Sequence, residues 1–336
     1  MKKLLLSLLA GVMLAGCGTA TDSGTPEVKH EDVQAIVEQT SSQIDEILAE
    51  SQALSSGFDL KVLSPTGAPA VAALPAALGS DITFVDGADA LQAALVSPDS
   101  EYDVVIAPSN LGLKLASAGK SAYKMLGVVT WGNLYIVGKT DTDKDPSSWT
   151  KVGAFGEQAA TGIVFNAVYG DKIDPSAVTW YNSTAEAAAA LLAGEVDVAM
   201  LAEPNATATI GKAKENGLEL EIIDDVQAEY SENGFPQAAM FVKEEAYANK
   251  KEAIDLAYTL MNAFSTLSEP LTAEEIDGLM KEVGGAEALG VPNAEIIAKT
   301  WDRLNINVVK ASDHMDELKN YAQLFGIEDI TNAVLN

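Results

Sequence analysis

The chain has 336 residues and a formal net charge of −28, from 49 acidic against 21 basic residues. Nucleic acid is a poor partner for so acidic a chain, because phosphate contacts need a basic footprint. With a single cysteine the fold cannot depend on intramolecular disulfides, so core burial must stabilise it, and the length predicts two domains.

The first residues have the pattern of a secretory signal. Lys2 and Lys3 precede an apolar run over 4–15, which is too short to cross a membrane as a stable helix. The stretch LAGC, ending at Cys17, resembles the lipobox of bacterial lipoproteins. The resemblance implies a signal peptide over 1–16, a lipid on the cysteine sulfur and a location on the outer face of the cell membrane.

Two further segments precede the main body of the chain. Residues 17–29 are small and polar without an apolar period, which predicts a flexible tether. Apolar residues then recur at helical spacing, which predicts an extra helix over 30–54. This helix is expected either to pack on the core or to stand as a stalk.

Strands and helices alternate from residue 58 onward. The first block predicts strands at 58–65, 82–87 and 103–110, helices at 69–78, 88–96 and 111–118, and a long extended segment at 123–139. The second block predicts strands at 151–157, 178–183, 196–205 and 218–226, with helices at 159–168 and 184–192 and a third ending at 216. Alternation of this kind predicts an α/β fold with mostly parallel sheets flanked by helices.

After the second block the chain is expected to cross back and complete the first lobe. A strand at 237–245 is followed by predicted helices at 245–266, 272–283, 293–301, 312–324 and 328–335, which form a helical C-terminal extension. Thr272 and Glu275 have the spacing of a capping box. The sequence therefore predicts lobe 1 over 58–137 and 236–336 and lobe 2 over 138–235.

Six turns that follow apolar strands outline a candidate cleft between the lobes. They lie at 64–69, 107–110, 130–133, 155–162, 201–205 and 234–237. In open α/β sheets, ligands bind beyond the carboxyl ends of the strands and near helix N-termini. The candidate ligand-binding residues are Thr66, Gly67, Ser109, Asn110, Thr130, Trp131, Asn133, Phe155, Gln158, Thr161, Glu203, Asn205 and Gln237.

The sequence offers little for covalent chemistry. Its two histidines, His30 and His314, fall outside the six turns, so neither a catalytic histidine nor a metal site is expected there. Glu157 and Glu203 are candidate cleft acids, with three alternatives: a carboxylate pair, ligand contacts or solvated turn residues. No cofactor, metal or catalytic residue is therefore predicted, and the chain is expected not to be an enzyme.

Several stretches carry a family resemblance over about 58–265. With the lipobox, LKVLSPTGAPAVAAL, DVVIAPSNLG, VTWGNLYIVG, VDVAMLAEPNAT and GFPQAAMFVKEE resemble solute-binding lipoproteins of bacterial ABC importers. The resemblance is to the type II periplasmic-binding-protein fold of thiamine-precursor and aliphatic-sulfonate binders. It implies two lobes that close around a small molecule at hinges near 134–140 and 228–240, then dock on a permease coupled to an ATPase.

The ligand class stays open at this point. No arginine or lysine lies in the six turns, and the one arginine of the chain is Arg303, whereas oxyanion binders often use arginine. An aromatic or nitrogenous ligand fits Trp131, Phe155, Glu157 and Glu203 better, although helix N-termini could hold a sulfonate. The alternatives are a ligand-sensing surface lipoprotein and an enzyme of menaquinone or thiamine metabolism on the same fold.

Overall fold

The computed structural model describes residues 59–77, 79–267 and 271–335. The predicted signal peptide, the lipidated Cys17, the tether and the helix over 30–54 lie outside these ranges and stay predictions. No helix in the described ranges is both long and apolar enough to span a membrane.

Eleven strands form two sheets in the described ranges. The strands are β1 (Lys61–Pro65), β2 (Asp81–Val85), β3 (Val104–Pro108), β4 (Tyr123–Thr130), β5 (Leu134–Lys139), β6 (Val152–Phe155), β7 (Val178–Tyr181), β8 (Val198–Ala202), β9 (Leu220–Asp225), β10 (Ala238–Lys243) and β11 (Ile306–Lys310). The six-stranded sheet has the order β11-β4-β10-β3-β1-β2, and the five-stranded sheet has the order β7-β6-β8-β5-β9. Each sheet is the centre of one lobe.

Helices follow most strands. They are α1 (Ala68–Ala77), α2 (Asp89–Val96), α3 (Ser109–Ser117), α4 (Ala160–Tyr169), α5 (Thr184–Ala193), α6 (Asn205–Glu215), α7 (Val226–Tyr230), α8 (Glu244–Asn249), α9 (Lys251–Ser265), α10 (Ala273–Lys281), α11 (Gly285–Ala288), α12 (Ala294–Thr300) and α13 (Met315–Gln323). The capping box is confirmed at the start of α10, where Thr272 and Glu275 each accept a hydrogen bond from the other's backbone N–H.

The sheets are mixed, which corrects the expectation of mostly parallel sheets. β1 pairs in parallel with β2 and β3, and β6 pairs in parallel with β7 and β8. The strands β5, β10 and β11 pair antiparallel with all their neighbours. β5 and β10 each arrive from the other lobe, so no crossover helix of their own sheet forces them to run parallel.

The chain passes between the lobes in two short segments, 131–133 and 231–237, which we call the crossovers. Lobe 1 then comprises 59–130 and 238–335, and lobe 2 comprises 134–230. The sequence predicts a lobe boundary at 137 and a first hinge at 134–140. In the structure the chain leaves lobe 1 earlier, at 131–133. The predicted extended segment at 123–139 is in fact two strands in different lobes, because Gly132 turns the chain with a φ of 95°.

The C-terminal part is less helical than its sequence suggests. Residues 306–310 form β11, which extends the lobe 1 sheet beside β4. The helix expected over 328–335 is reduced to a short turn at Thr331–Ala333. There the Asp329 carboxylate accepts a hydrogen bond from the Thr331 N–H at 2.8 Å, a local bond that competes with a helix.

Both sheets are covered on both faces, which explains the long apolar runs of their strands. In lobe 1, α1 and α9 cover one face with Val71 and Ile254, while α3 covers the other with Leu113. In lobe 2, an aromatic cluster around Phe165 covers one face and Leu191 of α5 the other. The strand ends are therefore rigidly held, and the turns that follow them are placed by the two cores.

Candidate functional site

A cleft of about 600 Å³ opens between the lobes, where β1, β3, β6 and β8 end. The lining residues from lobe 1 are Pro65, Thr66, Gly67, Ala68, Pro69, Asp86, Ala88, Pro108, Asn110, Leu111, Ala238 and Gly290. Those from lobe 2 are Leu134, Phe155, Ala159, Ala160, Thr161, Ala202, Glu203, Pro204 and Asn205. The crossovers add Asn133 and Gln237. The volume suits a small organic molecule.

The structure brings nine of the thirteen candidate residues to this lining: Thr66, Gly67, Asn110, Asn133, Phe155, Thr161, Glu203, Asn205 and Gln237. The other four lie elsewhere. Ser109 and Thr130 are fully buried behind the cleft wall. Gln158 is exposed to solvent outside the lining, and Trp131, the first residue of the first crossover, lines a different cavity.

Trp131 packs away from the cleft and faces a second cavity together with Asp225 and Glu232. Its indole Nε1 donates to the Asn307 carbonyl at 2.9 Å, and its ring meets His314 edge-on with centroids 5.1 Å apart. These contacts account for the tryptophan as packing. Within the described ranges, no group of three or more His, Cys, Asp or Glu side chains is placed to hold a metal ion.

Five helices begin at the cleft. They are α1, α2, α3, α4 and α6, whose first residues line it or directly adjoin a residue that does. The first N–H groups of an α-helix have no intrahelical acceptor and carry partial positive charge, so they favour anionic or acceptor groups. The Oδ1 atom of Asn110, in the first turn of α3, is buried without a hydrogen-bond partner.

Gly67, before α1, keeps one of these N-termini open. Its φ of 87° favours glycine, and an added Cβ would meet no heavy atom within 4 Å. A residue from the C-terminal part of the chain completes the lobe 1 wall here, because Gly290 packs against Thr66. A Cβ on Gly290 would lie 2.7 Å from the Thr66 Cβ, so this approach also needs glycine.

Sequence reasoning missed several lining residues. Asp86 follows β2, so the strand-end rule that selected the six turns could have found it as well. The apolar Leu111 and Leu134 gave no such signal, because they look like ordinary core residues. Gly290 comes from the C-terminal part, and nothing local to it indicates the cleft.

Four of the candidate residues bond to one another at the crossovers or beside them. Gln237 Nε2 donates to Asn133 Oδ1 at 2.8 Å, and Thr130 Oγ1 donates to Gln237 Oε1 at 3.3 Å. Asn133 Nδ2 donates to the Glu203 carbonyl at 2.7 Å, and the Glu203 N–H donates to the Asn133 carbonyl at 2.8 Å. Much of the hydrogen-bonding capacity of these side chains is therefore used within the protein.

Glu203 and Arg303 form an ion pair between the lobes. The Glu203 side chain has no exposed surface, and its Oε1 accepts from Arg303 Nε at 2.8 Å. Thr207 donates to the same carboxylate through Oγ1 at 2.7 Å and through its N–H at 3.0 Å. Arg303 Nη2 in turn donates to Thr207 Oγ1 at 2.8 Å, which closes a three-residue ring.

Tyr135 lies beside this pair. Its hydroxyl donates to the Arg303 carbonyl at 3.1 Å and accepts from Asn305 Nδ2 at 3.4 Å. Burial, together with the nearby carboxylates of Asp225 and Glu203, raises the pKa of Tyr135 well above its usual value. The tyrosine therefore stays a neutral hydrogen-bond donor at physiological pH.

No protein-family model matches the sequence, and a comparison with curated proteins finds no match. Solved structures do match. An ABC transporter protein from Parabacteroides distasonis is 21% identical, with a TM-score of 0.64 over 83% of this chain and 97% of its own. A periplasmic aliphatic sulphonate binding protein from Escherichia coli is 17% identical, with a TM-score of 0.59 over 83% of this chain and 92% of its own.

A ligand-binding component of an ABC-type import system from Staphylococcus aureus also matches. It is 12% identical, with a TM-score of 0.58 over 82% of this chain and 96% of its own. At such low identity these likenesses show the fold alone. The chain has the two-lobed α/β fold of ABC-transporter solute-binding proteins, and the predicted fold class is confirmed.

Proposed function

We propose that this chain is the extracytoplasmic solute-binding component of an ABC importer, anchored by lipid at Cys17. It encloses a small organic molecule between its lobes and delivers it to a membrane permease. The observation that carries the proposal is the cleft of about 600 Å³ with helix N-termini from both lobes converging on it. The fold shared with binding components of import systems supports the same function.

The structure changes the argument about ligand class. Trp131 faces another cavity, Glu157 is absent from the cleft lining, and the charge of Glu203 is paired with Arg303. Of the four residues that favour an aromatic or nitrogenous ligand, Phe155 alone lines the cleft without being held in an ion pair. The amide and hydroxyl groups and the helix N-termini instead favour a ligand with acceptor oxygens, such as a sulfonate or carboxylate on a small apolar body.

The neighbour from Escherichia coli is a binder of aliphatic sulphonates, which supports this class. Such a ligand would be held by backbone N–H groups rather than by arginine, because no lysine or arginine of the described residues lines the cleft. The apolar side chains Leu111, Leu134 and Phe155 would then contact the rest of the ligand.

The test begins with native mass spectrometry of the purified chain, to identify any solute that remains bound. Calorimetric titration then compares sulfonates, carboxylates, amines and pyrimidines. We expect a ligand that carries acceptor oxygens for the helix N-termini and an N–H or O–H donor for the unpaired Asn110 Oδ1. Binding should weaken in Asn110→Ala and stay unchanged in Asn233→Ala, since Asn233 lies outside the cleft.

Other results would overturn the proposal. Retention of no solute, with no binding of any compound at millimolar concentration, would contradict solute capture. Chemical turnover of a bound compound would favour the enzyme alternative. Glu203 is already paired and Glu157 is outside the lining, so Asp86 is the unpaired carboxylate of the described cleft and the first residue to change in that case.

A further inference from the structure

Arg303 is held firmly by lobe 1. It lies in the short helical turn Trp301–Leu304, between α12 and β11. Leu304 is fully buried in the lobe 1 core, and the Trp301 ring meets Phe264 of α9 edge-on with centroids 5.0 Å apart. The backbone that carries the arginine therefore moves with lobe 1.

Its two partners belong to lobe 2. Glu203 directly follows β8, and Thr207 lies in the first turn of α6. The carboxylate is fully enclosed, whereas the Arg303 side chain is 37% exposed. The ion pair between the two lobes thus combines a buried carboxylate with a cation that can still reach solvent, beside the bonds that Tyr135 makes to the Arg303 carbonyl and to Asn305.

We propose that Arg303 is a positioning residue that holds the two lobes together through Glu203 and Thr207, and that this pairing favours the closed arrangement of the cleft. A buried carboxylate is costly without a cation and hydrogen bonds. Drawing Arg303 away from Glu203 by separating the lobes would remove the cation, so the carboxylate must then rehydrate. The ion pair therefore resists opening at the floor of the cleft.

The same pair affects what the cleft can hold. Glu203 lines the cleft, and Arg303 balances its charge, so an acceptor-rich ligand can approach the N-terminus of α6 without meeting a free carboxylate. A ligand that bridges the lobes binds more tightly when closure is already favoured, because apparent affinity scales with the closed fraction. This link to affinity rests on the proposed function, whereas the pairing of the lobes does not.

Distance measurement between the lobes tests the proposal without any ligand. The full chain carrying Cys17→Ser receives spin labels through Val96→Cys on lobe 1 and Glu215→Cys on lobe 2, two exposed positions. Pulsed electron paramagnetic resonance then gives the interlobe distance distribution. We expect Arg303→Met to shift or broaden this distribution towards longer distances.

The matched control is Lys250→Met, which breaks an ion pair inside lobe 1. Lys250 Nζ lies 3.0 Å from Asp103 Oδ2, and the lysine is 34% exposed, close to the value for Arg303. The control should leave the distance distribution unchanged. A shift of equal size in both variants would overturn the proposal, because it would show a general loss of stability.

A milder variant covers the case in which Arg303→Met does not fold. Thr207→Val removes one hydrogen bond from each partner and leaves both charges. It should give a smaller shift in the same direction, and Arg303→Lys should lie between it and Arg303→Met. A folded Thr207→Val or Arg303→Met protein with the wild-type distribution would overturn the proposal.

Ligand retention separates this inference from the proposed function. If a solute co-purifies, Arg303→Met should weaken its binding about five- to hundredfold, the usual range of coupling between linked equilibria. A chain that opens on Arg303→Met but never retains a solute would refute solute capture and leave the pairing of the lobes standing. A chain that retains solute and does not open would refute the pairing alone.

Discussion

The cleft walls that the two lobes supply and the crossovers that complete the lining contain the same kinds of side chain and use them in opposite ways. At the crossovers, Asn133 and Gln237 donate and accept among themselves and towards Glu203. In the cleft, Asn110 keeps a buried Oδ1 without a partner. A polar residue after a strand is therefore a good candidate for ligand contact only when the rest of the protein leaves its hydrogen bonds unmade.

The largest expected effect comes from the ion pair between the two lobes. Its acidic residue, Glu203, lies in the cleft lining, and the Glu203 backbone carbonyl accepts from Asn133 at the first crossover. Glu203→Ala removes the buried carboxylate and should lower the free energy of unfolding by about 3 kcal/mol, because it leaves Arg303 and Thr207 without their acceptor. Urea unfolding followed by circular dichroism measures the change. The exposed pair Lys172–Glu229 is the control, and Glu229→Ala should cost less than about 1 kcal/mol.

Equal losses in these two variants would contradict the distinction between buried and exposed pairs. The Arg303 side chain is partly exposed, so it can recover some hydration in Glu203→Ala. For this reason the expected loss is at the lower end of the range for broken buried pairs.

Two glycines with positive φ, one in each region, give the next comparison of stability. Gly132 is at the first crossover, where an added Cβ would lie 2.7 Å from the Phe235 ring and 2.9 Å from the Gln227 Cβ. Gly67 is in the cleft, where an added Cβ meets nothing within 4 Å. Gly132→Ala should therefore cost about 2–3 kcal/mol, from strain and overpacking, and Gly67→Ala about 1 kcal/mol, from backbone strain alone.

Chemical unfolding of both alanine variants checks this order. A larger loss for Gly67→Ala than for Gly132→Ala would show that the crossover is less tightly packed than its distances indicate. Gly67→Ala should still weaken ligand binding, because its methyl group occupies space at the N-terminus of α1.

Amide side chains give a smaller contrast. Gln237→Ala breaks its bonds to Asn133 and Thr130 and should cost about 1–2 kcal/mol of stability. Asn110→Ala removes an acceptor that has no partner, so its stability should stay within about 0.5 kcal/mol of wild type. Thermal unfolding of each variant, with calorimetry on any identified ligand, measures both quantities.

For ligand affinity the order of the two variants should be reversed. Asn110→Ala should lose more affinity than Gln237→Ala, although its stability is unchanged. If Asn110→Ala instead destabilises the fold as much as Gln237→Ala, then the cleft asparagine has a structural partner. The two regions would then not differ in how far their amide side chains are used in hydrogen bonds within the protein.

The smallest effect concerns pH at the second crossover. The Glu317 carboxylate is bonded by its own backbone N–H, by His314 Nδ1 at 3.3 Å and by Asn233 Nδ2 at 3.3 Å, and these contacts lower its pKa. A carboxyl with a lowered folded-state pKa contributes stability that is fully present above its unfolded pKa and is lost as pH falls through the folded value. For Glu317 the contribution is a few tenths of a kcal/mol, because the group is partly exposed.

Urea unfolding of wild type and Glu317→Gln at pH 7 and pH 3 tests this prediction. The two proteins should differ at pH 7, and the difference should shrink as the pH falls through the lowered folded-state pKa of Glu317. A difference that persists at pH 3 would assign the effect of Glu317 to packing rather than to charge.

Sequence patterns predicted the elements of the two lobes well and the C-terminal part less well. Helices such as α4 and α5 and strands such as β3 show clear local periods, so their positions follow from the sequence. β11 falls between the predicted helices at 293–301 and 312–324, where no strand is predicted, because five residues between helices carry too weak a period to identify one. The direction of β5 and β10 depends on which lobe each strand enters, which no local pattern encodes.

The sequence by itself determined where the strands end and hence which turns could meet, because side-chain periodicity and turn residues act over a few positions. Tertiary structure alone decided which polar residues face the cleft, which bond to one another and which, like Trp131, pack elsewhere. It also brought Arg303 to Glu203 across 100 positions of the chain. Such contacts depend on how two separate cores pack side by side, and that arrangement has no signature within any short stretch of sequence.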